Sequence, residues 1–148
     1  FVPVPAVARK RHVVLDELMA RARQAAEESS FNTIAEPAEI TKLGIITSGV
    51  SRNYLADALA ANGWEGRVRV LELGMTWPLP EEKICTFLAG CERVLVLEEG
   101  EDLLEQDIRV LVQRRGLSVS IEGKDDILTH QGEYPPHCVT LRLARWLD

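Results

Sequence analysis

Val94-Leu95-Val96-Leu97 places four apolar residues in a row with nothing polar between them. Successive side chains of a strand point to opposite faces, so an unbroken apolar run needs cover on both sides, as in a parallel sheet sandwiched by helices. The rest of the chain supplies that cover. Leu43 to Thr47 reads as a second buried strand, Ser48 to Val50 as a turn, and Ser51 to Asn62 as a helix with Leu55, Ala58 and Leu59 inward, stopped by Asn62-Gly63. Arg67 to Leu73 resumes as a strand ended by Gly74-Met75. Pro80, Glu81 and Glu82 then open a helix whose inner face is Ile84, Phe87 and Leu88, and Gly90 closes it.

Beyond the central run, Glu98-Glu99-Gly100 marks the exit. A helix follows with Leu104, Ile108, Leu111 and Val112 on one side and Arg114-Arg115-Gly116 at its end. Leu117, Val119 and Ile121 alternate as a further strand, Gly123 to Pro136 is a polar loop, and Val139, Leu143, Trp146 and Leu147 mark a last helix. Asn32 to Glu36 reads as a short edge strand stopped by Pro37. This alternation predicts a three-layer α/β/α, doubly wound sheet of about five mostly parallel strands.

Ahead of the sheet, Leu15, Leu18, Met19, Ala22 and Ala26 recur at helical spacing, predicting a docking helix from Val13 to Glu28. The cluster Arg9-Lys10-Arg11-His12 opposes the positive end of such a helix and is assigned to a linker. Residues 1–12 are therefore read as a linker from a preceding domain and 13–148 as one domain. The opening Phe1-Val2-Pro3-Val4-Pro5, with no initiator Met and no signal-peptide layout, reads as a piece of a longer protein.

Composition narrows the function classes. No apolar run approaches the ~20 residues of a membrane-spanning helix. A net charge of -6 disfavours a nucleic-acid surface. Cys85, Cys91 and Cys138 show no C-x-x-C spacing, which suggests neither a disulfide framework nor an iron-sulfur site and fits a reducing cytoplasm. His12, His130 and His137 fall in linker or loop positions without the spacing of a metal site. Trp64, Trp77 and Trp146 lie at element edges, as packing anchors do.

GIITSGVS, Gly44 to Ser51, misses the phosphate-loop pattern because Val50 stands where the lysine belongs and Gly44 lies inside a strand. Two readings of its turn remain. Thr47, Ser48, Gly49 and Ser51 could receive an anion at a helix N-terminus, or a serine caps the helix while Gly49 permits the turn. Glu98 and Glu99 are open in the same way, as a solvated strand exit or as an interface pair. A binding module for coenzyme A or a nucleotide is thus the alternative function.

Taken in order, GIITSGVSRNYLADAL, LELGMTWPLPEEKI, RVLVLEE and GKDDIL with Gly132-Glu133 resemble the middle domain of the alpha subunit of indolepyruvate ferredoxin oxidoreductase, a relative of the transketolase C-terminal domain. The resemblance covers about Arg11 to Glu133. It implies a parent enzyme that converts arylpyruvate and coenzyme A to aryl-acetyl-CoA and CO2, reducing ferredoxin through thiamine diphosphate and 4Fe-4S clusters. It further implies a five-stranded mixed sheet with one antiparallel edge, and partners in the same alpha subunit and the beta subunit. The Gly-Asp-Gly motif for thiamine diphosphate is not in this chain, so the segment alone is expected to be inactive, with no catalytic, cofactor or metal residue of its own. His130-Gln131 and Gly100 depart from the family pattern in the loops.

Overall fold

A computed structural model describes residues 4–37, 39–124, 126–130 and 132–148, so Phe1-Val2-Pro3, Asp125 of GKDDIL and Gln131 lie outside the described residues. The elements run α1 (Pro5–Glu28), β1 (Asn32–Ala35), β2 (Leu43–Ser48), α2 (Ser51–Asn62), β3 (Arg69–Leu73), α3 (Glu81–Leu88), β4 (Arg93–Leu97), α4 (Leu103–Arg115), β5 (Ser120–Glu122) and α5 (Pro136–Leu147). The five strands lie in the order β1-β3-β2-β4-β5, all parallel except the edge strand β1, which pairs antiparallel with β3.

Register divides the core in two. Ile45 pairs with Val70 and Leu95, and all three face the layer formed by α2 and α5, where Leu55, Leu59, Leu143 and Trp146 meet them. One residue on, Ile46 pairs with Leu71 and Val96 and faces α3 and α4, against Ile84, Phe87, Ile108 and Leu111. The apolar run is therefore buried on both sides, and truncating one of its large neighbours such as Phe87 to alanine should cost about 3–5 kcal/mol.

The strand read from Arg67 starts at Arg69 and the edge strand ends at Ala35, and two boundaries differ further from the sequence reading. Helix α1 starts at Pro5, so Arg9 to His12 are helical; Pro5 stands in the first turn, where its missing N–H costs nothing. At the other end, Gly116 takes φ +63°, and the Leu117 N–H donates back to the Val112 carbonyl, which keeps Leu117 out of β5.

The lower end of α1 is tied to α3. The Glu27 carboxylate accepts the N–H groups of Glu82 and Lys83 at 2.8 and 3.0 Å, satisfying donors that the first turn of α3 leaves open. Lys83 returns a bond to the Asn32 carbonyl at 2.8 Å, and the Asn32 amide donates to the Ala26 carbonyl at 2.9 Å. Higher up, Leu15 and Leu18 remain 51% and 50% exposed and Met19 and Ala22 are half-buried, so the docking predicted for the whole stripe is complete only at Ala26.

Candidate functional site

β2 leads into α2 on one face of the sheet and β4 into α4 on the other. The gap between their C-terminal ends is the switch point where sheets of this kind take ligands. A cavity of about 410 Å3 opens there, with Ser48, Thr76, Trp77, Glu98, Leu103 and Leu104 among its lining residues. Asp107 and Gln106 complete the lining, which holds two carboxyl residues and neither Lys nor Arg. That balance suits an anion poorly.

Beneath the cavity lies a buried polar network. Glu98, directly after β4, accepts the N–H groups of Leu104 and Glu105 at 3.0 and 2.9 Å, so two of the donors at the start of α4 that a phosphate would use are already filled. Lys124 spends all three ammonium protons: on the carbonyls of Glu98 and Gly100 at 2.8 and 2.7 Å, and on the Tyr134 hydroxyl at 2.7 Å. Tyr134 passes its own proton to the Thr129 carbonyl at 2.7 Å. Glu105 accepts the Lys124 N–H at 2.8 Å and pairs with Arg109 at 2.7 Å. Burial sets the ionisation here: it raises the Glu98 carboxyl against the pull of its two N–H donors, lowers the Lys124 ammonium, and raises the Tyr134 phenol to about 12.

The sequence candidates distribute as follows. Thr47 is fully buried and donates to the Leu97 carbonyl at 3.0 Å, a tie between β2 and β4. Ser48 reaches the cavity. Gly49 takes φ +59° in the exposed turn, a conformation that favours glycine. Ser51 is fully buried with no hydrogen-bond partner for its hydroxyl, and no side chain caps α2. Glu99 accepts the Tyr134 N–H at 3.2 Å. Glu98 and Glu99 thus belong to one network, and the Thr47-to-Ser51 turn lies beside it without joining its hydrogen bonds.

Lys124, Glu105 and Tyr134 were missed by sequence reasoning. The signal for them was Gly123, for a Cβ at that position would overlap the Glu105 carboxylate. Trp77 corrects the packing-anchor expectation: it is 71% exposed, whereas Trp146 is fully buried. The fold also brings His130 beside Glu101 and Asp102, their ligand atoms within 4.8 Å of one another, although sequence spacing showed no such group.

Architecture and switch-point geometry define a three-layer α/β domain of the kind found in 2-oxoacid oxidoreductases and transketolases. The chain superposes on 2-oxoglutarate:ferredoxin oxidoreductase from Magnetococcus marinus, solved with 2-oxoglutarate, coenzyme A and succinyl-CoA bound, with a TM-score of 0.67 and 16% identity over 99% of this chain and 24% of that one. A split-gene transketolase, an inactive beta4 tetramer, gives 0.53 and 16% identity over 78% and 42%. No family model matches. The chain is 40% identical over 126 residues, 85% of its length, to indolepyruvate oxidoreductase subunit IorA of Methanothermobacter marburgensis, and 39% identical over 125 residues to that of Pyrococcus abyssi. It is a domain homologous to part of the IorA subunits, and it spans about a fifth of their length, 20% and 19% respectively.

Proposed function

We propose that this chain is a non-catalytic packing and interface domain of a thiamine-diphosphate-dependent 2-oxoacid:ferredoxin oxidoreductase acting on indolepyruvate and related arylpyruvates. The parent would make aryl-acetyl-CoA and CO2 and pass electrons to ferredoxin through 4Fe-4S clusters, in the cytoplasm, with the cofactors held outside this segment. Its partners would be the other domains of the alpha subunit and the beta subunit. Homology to IorA supports the assignment to an oxidoreductase.

One observation carries the structural role. The two charged groups that follow β4 and β5 at the switch point are consumed internally: Glu98 closes the start of α4, and Lys124 is saturated by two carbonyls and a phenol. The cavity above them presents Glu98 and Asp107. The coenzyme A or nucleotide module is supported less, because phosphate would meet that acidic lining.

The test is turnover by full-length alpha and beta subunits supplied with thiamine diphosphate, coenzyme A, ferredoxin and a panel of 2-oxo acids. Reduction of ferredoxin with arylpyruvates is expected; turnover of pyruvate without the aryl acids would reject the substrate class. Among the described residues no helix is long and apolar enough to cross a membrane.

A further inference from the structure

We infer that the outer half of α1 and the groove it runs into form one docking strip for another part of the same full-length polypeptide, whose complementary surface is apolar at the centre and carboxylate-bearing at the edges. The inference rests on the reading of this chain as one domain of a longer subunit. Val7, Val14, Leu15 and Leu18 lie along one side of α1, and each is about half exposed, 47%, 53%, 51% and 50%. Met19 carries the stripe into a groove of about 230 Å3 whose walls include Trp77 and Val110, themselves 71% and 52% exposed. A helix face and a groove that continue one another in apolar side chains mark an interaction surface rather than scattered exposure.

Charge and length select the occupant. Residues 9–23 carry five Lys and Arg against two carboxylates in a chain of net charge -6, so the α1 half of the strip is a basic ridge on an acidic domain, while the groove sets Arg23 and Arg114 against Glu81 and Asp107. Two such ridges face to face repel, and an acidic surface attracts. In the IorA subunits the homologous segment is about a fifth of the chain, which leaves four fifths to pack around a domain of this kind. A narrow strip suffices within one polypeptide, because linkage raises the effective concentration, whereas separate copies need roughly 1,200 Å2 of total buried area.

The experiment uses the full-length subunit assembled with its partner subunit and carrying the photocrosslinker p-benzoylphenylalanine at Leu15 or at Val110. Irradiation and peptide mapping, on a mixture of isotopically labelled and unlabelled subunits, assign each adduct within or between chains. Adducts from both positions are expected on the same polypeptide, outside these 148 residues. Adducts to a second copy, adducts to the partner subunit, or no adduct from an incorporated probe would overturn the proposal. The paired change Leu15→Glu and Leu18→Glu, at exposed positions, is expected to lower the Val110 adduct about tenfold; an unchanged yield would count against a continuous strip. Turnover does not enter the readout, so its outcome is separate from that of the enzymatic reading.

Discussion

Gly123 lies against the carboxylate of Glu105 so closely that a Cβ on Gly123 would overlap it. The contact lets the Lys124 N–H reach Glu105 at 2.8 Å and sends the Lys124 side chain inward to the carbonyls after β4. Gly123→Ala must push Glu105 away from both Lys124 and Arg109. The expected loss is about 1–3 kcal/mol, read as a lower denaturation midpoint at constant m-value in urea.

Lys124→Met keeps the length of the side chain and removes its three donors. The carbonyls of Glu98 and Gly100 then lose their ammonium partner, and Glu98 loses the cation beside it. About 3–5 kcal/mol of destabilisation is expected, the range for removing one member of a buried charged group. A midpoint within error of the parent chain would show that the network contributes nothing.

Tyr134 offers a spectroscopic signature. Its phenol is raised from 10.0 to about 12 by burial, so the folded chain holds that proton more tightly than the unfolded chain. The sign follows: this group's contribution is complete below pH 10 and is lost as pH rises towards 12. Lys124, lowered from 10.5, works in the opposite direction, so ultraviolet titration of tyrosinate separates the two better than a stability curve. A late ionisation near pH 12 is expected in the parent chain and absent from Tyr134→Phe.

Much of this architecture was legible because both strand and helix periods are strong. Val94 to Leu97 announced a doubly covered strand, and Gly63 and Gly116 ended their helices in the left-handed conformation expected of them. The start of α1 was not legible: Arg9 to His12 oppose the helix dipole, yet Pro5 opens the helix upstream of them. Nor was the network around Lys124. Its members come from the turn after β4, from α4 and from the loop before α5, and a lysine in a polar loop looks solvated until the fold brings carbonyls to it. Trp77 failed for the opposite reason, since an aromatic at an element edge gives no sign of whether anything within the same domain covers it.

Trp77 separates folding from assembly. At 71% exposure it adds little to the domain's own stability, so Trp77→Ala is expected to leave the unfolding free energy of the 148-residue chain within ~0.5 kcal/mol. In the full-length subunit the same change is expected to speed limited proteolysis between domains. A stability loss as large as that of a core truncation would instead make Trp77 part of the fold.

The function proposed for this domain is membership of a thiamine-dependent oxidoreductase whose cofactor is held by other parts of the enzyme. Calorimetric titration of thiamine diphosphate into the 148-residue chain and, in parallel, into the full-length subunit with its divalent cation tests it most directly. Saturable, stoichiometric binding is predicted for the full-length subunit and none for the chain. Saturable binding to the chain, or its absence from the full-length subunit, would overturn the proposed function.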